Sequence, residues 1–234
     1  MERITSTTII EFSGLAGAGK STLCSALGDK FRNLNIDFIH DDELRVKLDK
    51  KRFLNSLSVW SFPLFFNCIL LHDLGNSTKG LRYSISLYRL CLRYRWFEKY
   101  KPANVLLVDE GIAQVIVSIA GYECELKLKP KHVRAIKHIY RALPETFALN
   151  CIVEPEVALE RIRRRNRNSG RLDLIADDEK LSVALKYNSS NLNCINGLLN
   201  SVIHIEPVYM EEPINGLIEK IIRFCDIGAY PRED

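Results

Sequence analysis

The chain has 234 residues, 47% of them hydrophobic and 26% charged, with a formal net charge of +4. That suits one α/β domain with a good core, and the charge is too mild to mark a nucleic-acid binder. The opening "MERITSTTIIEF" has no long apolar run after its charges, so no signal peptide is expected. The most apolar window, "WSFPLFFNCILL", is too short to span a bilayer and is broken by Pro63. Seven cysteines, an odd number with no CxxC pair, point to reduced thiols and a cytoplasmic protein. Cys24, Cys68, Cys151 and Cys225 sit in apolar settings and read as small core residues.

The first strand is expected at 7–12, "TTIIEF". It runs into "GLAGAGKS", where Gly14, Gly19, Lys20 and Ser21 fit G-x-x-x-x-G-K-[ST]. A helix follows over 20–33, with Leu23, Leu27 and Phe31 on one face, as this motif requires. Bare backbone lets phosphate oxygens approach N–H groups that side chains would block. The phosphate cradle is therefore Gly14, Ala16, Gly17, Ala18, Gly19, Lys20, Ser21 and Thr22. Lys20 would reach the terminal phosphates, and the Ser21 hydroxyl would be a ligand of Mg²⁺.

The second strand is expected at 36–40, ending at His40, and a helix at 42–53. "IHDDELR" places Asp41 and Asp42 at a strand's carboxyl end, where one could take the proton of a hydroxyl attacking a γ-phosphate. Arg45 could clamp the acceptor. The same residues also suit a helix start with acids in its first turn. Helices at 57–75 and 80–100 follow. In the second, Leu81, Ile85, Tyr88, Leu92 and Trp96 form an apolar stripe flanked by Arg82, Arg89, Arg93 and Lys99. This helix packs internally, in a dimer interface or on a membrane surface. Trp60, Phe62, Phe65 and Phe66 read as core, or as a platform for a ring.

The third strand, 104–109, closes on "VLLVDEG". Asp109 resembles a Walker B carboxylate that meets Mg²⁺, Glu110 is a second acid, and Gln114 a further candidate for the acceptor. Helices at 112–120 and 129–142 lead to a strand at 147–153 and a helix at 155–168. Residues 160–173 hold six arginines against one Glu and one Asp, a local +4 that leaves the rest of the chain neutral. Arg161 and Arg165 lie one turn apart and suit the charge of a phosphoryl-transfer transition state, with Arg171 beyond them. Arg163 points to another face. A helix at 178–199, a strand at 202–206 and a helix at 213–225 complete the chain. Alternating buried strands and helices predict a parallel sheet with helices on both faces, so ligands bind beyond the strands' carboxyl ends. The histidines show no metal spacing.

"GLAGAGKSTL", "FIHDDELR" and "EPEVALERIRRRNR" together resemble the nucleoside and nucleoside-monophosphate kinase group of P-loop proteins, with a thymidylate-kinase-like layout. The first two are also similar to adenylylsulfate kinases. The resemblance implies an α/β, three-layer P-loop NTPase fold with a five-stranded parallel sheet in the order 2-3-1-4-5. It also implies a Mg²⁺–ATP donor and an arginine-rich lid at 160–173. Residues 1–234 form one kinase domain, with 42–103 a helical acceptor-binding region. Thymidylate kinases carry D-R-aromatic and deoxynucleoside kinases E-R-S where this chain has Asp109, Glu110 and Gly111. An acid thus stands where a nucleotide-holding arginine would. The expected function is transfer of the γ-phosphate of ATP to a hydroxyl or phosphate of a nucleoside, nucleotide or other small metabolite. The alternatives are a sugar or adenylylsulfate-type hydroxyl kinase and a nucleotide-binding regulator that kept the fold without the chemistry. The partners are ATP and a small acceptor, with no nucleic acid, no membrane and a possible homodimer.

Overall fold

The computed structural model describes residues 7–47, 61–74, 80–121, 124–165 and 172–225. Five strands, β1 (Thr8–Gly14), β2 (Phe38–His40), β3 (Val105–Val108), β4 (Thr146–Ile152) and β5 (His204–Tyr209), form one sheet. Every pairing is parallel and the order is β2-β3-β1-β4-β5. The helices are α1 (Lys20–Asn33), α2 (Asp41–Lys47), α3 (Ser61–Ile69), α4 (Gly80–Tyr100), α5 (Ile112–Ala120), α6 (Pro130–Arg141), α7 (Pro155–Arg164), α8 (Asp178–Leu199) and α9 (Ile214–Phe224).

The layers follow from crossover handedness. From β1 the chain moves one way to β2 through α1; every later crossover moves the other way. Right-handed connections therefore put α1 on one face and α4, α5 and α8 on the opposite one. The packing agrees: α1 lies against α9, while α5 lies between α4 and α8. β1 and β3 are buried along their whole length, as central parallel strands should be. The crossover leaving β1 and the one leaving its neighbour β3 run in opposite directions, which opens a crevice at the carboxyl ends of these two strands.

Local expectations differ from the structure in a few places. Only Phe38–His40 of the expected second strand pairs with β3. α2 starts at Asp41, and residues 48–53 lie outside the described residues. α3 spans Ser61–Ile69, followed by turns. Residues 57–60, Trp60 among them, lie outside the described residues, as do 166–168 of the helix expected at 155–168. The last strand is shifted to His204–Tyr209.

The apolar stripe of α4 is corrected in part: Leu92 and Trp96 are buried and Tyr88 half-buried, whereas Leu81 and Ile85 are exposed, and Ser84, Leu87, Leu90, Cys91, Tyr94 and Phe97 make up most of the remaining buried surface. Phe62 and Phe66 on α3 are 60% and 61% exposed and so are not core. All seven cysteines are free, and Cys24, Cys68, Cys151 and Cys225 are buried. No helix among the described residues is long and apolar enough to cross a membrane.

Candidate functional site

β1 ends at Gly14 and α1 begins at Lys20, with the loop's glycines held in left-handed conformations: Gly17 at φ 86° and Gly19 at φ 95°. The bareness of the loop has a cause besides phosphate. A Cβ on Gly14 would lie 2.4 Å from the Cys151 carbonyl oxygen of β4, and one on Gly17 2.6 Å from that of Ala158 in α7. Gly19 caps α1 without a side-chain bond, and the first turn holds no acid, so its N–H groups face outward without a side-chain partner. Lys20 Nζ donates to the carbonyl oxygens of Gly14 and Leu15, each at 2.9 Å. Burial pushes its ammonium pKa down, and Arg165 adds to that. Cys151, Glu110 and Asp109 act the other way.

Ser21 Oγ donates to Asp109 Oδ2 at 3.2 Å, across 88 residues of sequence. The hydroxyl and carboxylate expected to meet Mg²⁺ are thus neighbours. Among the described residues no cluster of three or more His, Cys, Asp or Glu could hold a metal. An ion beside Ser21 and Asp109 would take its remaining oxygens from phosphate and water, which suits Mg²⁺.

From this pair a cleft of about 240 Å³ runs past Cys24 and Ser25 of α1 to His40, Asp41 and Asp42, with Leu107 at its floor. The two acids have different surroundings. Asp41 is buried and takes a two-pronged ion pair from Arg93 of α4: Nε to Oδ1 at 2.6 Å, Nη2 to Oδ2 at 3.1 Å. Arg45 adds a third contact to Asp41 at 2.9 Å. Asp42 is 87% exposed at its side chain, and its one ion pair among the described residues is with Arg45, at 3.5 Å. Asp41 is therefore occupied, while Asp42 is open to a ligand in the cleft. Arg45 is shared between them.

Gln114 serves the loop: its Oε1 accepts from Gly14 N at 3.1 Å. Arg161 also holds the loop, donating from Nη1 to the Ala18 carbonyl at 3.3 Å. Arg163 faces elsewhere, as expected, and binds Asp178 and the Ala176 carbonyl. Glu110 is exposed, and it and Arg165 lie close enough to act on Lys20's charge. Arg171, and with it much of the expected lid, lies outside the described residues.

Glu11 belongs to no motif. It sits in the middle of β1, fully buried, and accepts from Tyr140 Oη at 2.7 Å, Tyr94 Oη at 2.9 Å and Ile112 N at 3.0 Å. Burial pushes its carboxyl pKa up, and the three hydrogen bonds resist that shift. Ile112 is the first residue of α5, directly after the turn bearing Asp109. Gly111 in that turn is compulsory, because a Cβ there would lie 2.6 Å from Glu11 Cβ. The cue was a carboxylate inside an otherwise apolar strand, since such a group needs partners.

The sheet order and this loop define the class: a three-layer P-loop NTPase fold. No family model and no curated protein matches the chain. Among solved structures it is similar to a deoxyadenosine kinase from M. mycoides with dCMP and dCDP bound, at 15% identity and TM-score 0.49, covering 92% of this chain and 97% of that one. A shikimate kinase from Acinetobacter baumannii in complex with shikimate has 18% identity and TM-score 0.45, covering 94% and 92%.

Proposed function

We propose that the protein is an ATP-dependent small-molecule kinase whose acceptor is a hydroxyl compound. The observation that carries this is one continuous cleft. It runs from the Ser21–Asp109 pair, which directly follows Lys20 and the bare loop at the start of α1, to the open carboxylate of Asp42. The loop N–H groups and Lys20 hold the phosphates. Mg²⁺ held at Ser21 and Asp109 would neutralise charge on the transferring group. Asp42 accepts the acceptor's hydroxyl proton as its oxygen bonds to the γ-phosphorus and the bond to ADP breaks. Arg161, once released from the Ala18 carbonyl, and Arg165 would meet the γ-phosphoryl oxygens.

A hydroxyl acceptor is favoured over a phosphate because Arg45 and Arg93, the cations that meet the cleft's acids among the described residues, are already engaged with carboxylates. Glu110 further opposes an anionic acceptor. Lys20→Ala is expected to lower turnover by about 10²- to 10³-fold, the scale of losing one preorganised charge contact. The measurement is ATP consumption with sugars, nucleosides and monophosphates as acceptors. Turnover stimulated by a hydroxyl compound supports the assignment. Tight Mg²⁺–ATP binding with no turnover on any acceptor would favour the regulator instead.

A further inference from the structure

Arg93 and Tyr94 are consecutive residues of α4, and they grip opposite halves of the cleft. Arg93 holds Asp41 through two hydrogen bonds, which fixes the start of α2 and the neighbouring Asp42. Tyr94 donates to Glu11, whose same oxygen also accepts the Ile112 N–H at the start of α5. That places the turn carrying Asp109. The turn is stitched to β1 twice more, by Gly111 N to the Phe12 carbonyl at 3.0 Å and by Gly14 N to Gln114 Oε1 at 3.1 Å. Tyr94 is fully buried and Arg93 nearly so, and α4 packs closely on α5.

Resting on the kinase reading, we infer that α4 is a strut coupling the acceptor side of the cleft to its metal side, with Arg93 and Tyr94 as positioning residues. Neither side chain is needed to touch a reacting atom. Each binds a buried carboxylate that in turn holds a site-bearing segment. A buried carboxylate accepts such donors only in a narrow geometry, because losing one leaves an unpaired polar group in the interior. A helix held at two adjacent residues by two such groups cannot shift at one without straining the other. Events at Asp41 should therefore be felt at Asp109, although among the described residues no hydrogen bond or ion pair runs directly from Asp41, Asp42 or Arg45 to Ser21 or Asp109.

The test is Mg²⁺ titration at a fixed concentration of a non-hydrolysable ATP analogue, followed by melting temperature; no acceptor is needed. Arg93→Gln, made entirely on the acceptor side, is expected to raise the Mg²⁺ concentration at half-saturation by about three- to tenfold, the size of coupling through packed networks. Arg93→Lys, which keeps the charge but not the two-pronged bond, should give a smaller rise. Stabilisation by the analogue without Mg²⁺ should stay as in wild type, which general loosening of the fold would not allow. Tyr94→Phe should raise the half-saturation too, and the double variant should fall short of the product of the single effects. A half-saturation within twofold of wild type in Arg93→Gln, or effects that multiply fully, overturns the strut. If Arg93→Gln does not melt cooperatively, Asp41→Asn carries the measurement, since it removes the same ion pair and keeps a polar group in place. A wild-type protein that gains no stability from the analogue and Mg²⁺ overturns the kinase reading and the strut together; a normal wild-type response with unchanged variants overturns the strut alone.

Discussion

Lys20 donates to two loop carbonyls while burial works against its charge. Its pKa is lower in the folded chain than in the unfolded one, so the unfolded state binds more protons between the lowered value and about 10.5. Stability therefore rises with pH across that window, and below it the full cost is present. Replacing Lys20 by Met removes the titration. The stability of wild type relative to Lys20→Met should improve as pH climbs from 7 toward 10, as urea midpoints at several pH values will show. A difference that worsens with pH would contradict the sign. The loop, and Asp109 as the neighbour of its Ser21, were legible in the sequence because they depend on local spacing and on a strand's end. Arg93 was not, since its partner lies 52 residues away and a helical arginine is usually solvated. The task of Asp41 was hidden for the same reason.

Among the elements, α4 was the hardest to read. It carries apolar residues on more than one side, and Leu92 and Trp96 of the expected stripe are indeed buried while Leu81 and Ile85 are not. Its C-terminal half is enclosed from several directions, which blurs the helical period that a one-sided helix would display. The exposed phenylalanines of α3 defeat the rule in the opposite way, since hydrophobicity does not compel burial. Glycines separate cleanly by element. Gly17→Ala forces a methyl group to within 2.6 Å of the Ala158 carbonyl oxygen at a positive φ and should cost about 1–3 kcal/mol. Gly197 in α8 and Gly216 in α9 have nothing within 4 Å of an added Cβ. Alanine at either should stabilise by about 0.5–1 kcal/mol. Denaturant midpoints of the three variants check both signs at once.

At the scale of the molecule, the alternation of short buried strands with helices was enough to imply the sheet, because right-handed crossovers leave few ways to wind it. The resemblance supplied the strand order found. What alternation cannot supply is the inward side of the sheet, where Glu11 draws α4, α5 and α6 onto one carboxylate. The packing of Gly14 against β4 and Gly17 against α7 has a kinetic consequence. A cradle whose backbone is fixed by its own neighbours leaves only the Lys20 and Arg161 side chains to turn toward a guest, a fast step, so capture should be limited by encounter. In stopped-flow mixing with a fluorescent ATP analogue, the observed rate should climb in proportion to analogue concentration. A ceiling on that rate would mean that the empty cradle must first remould itself.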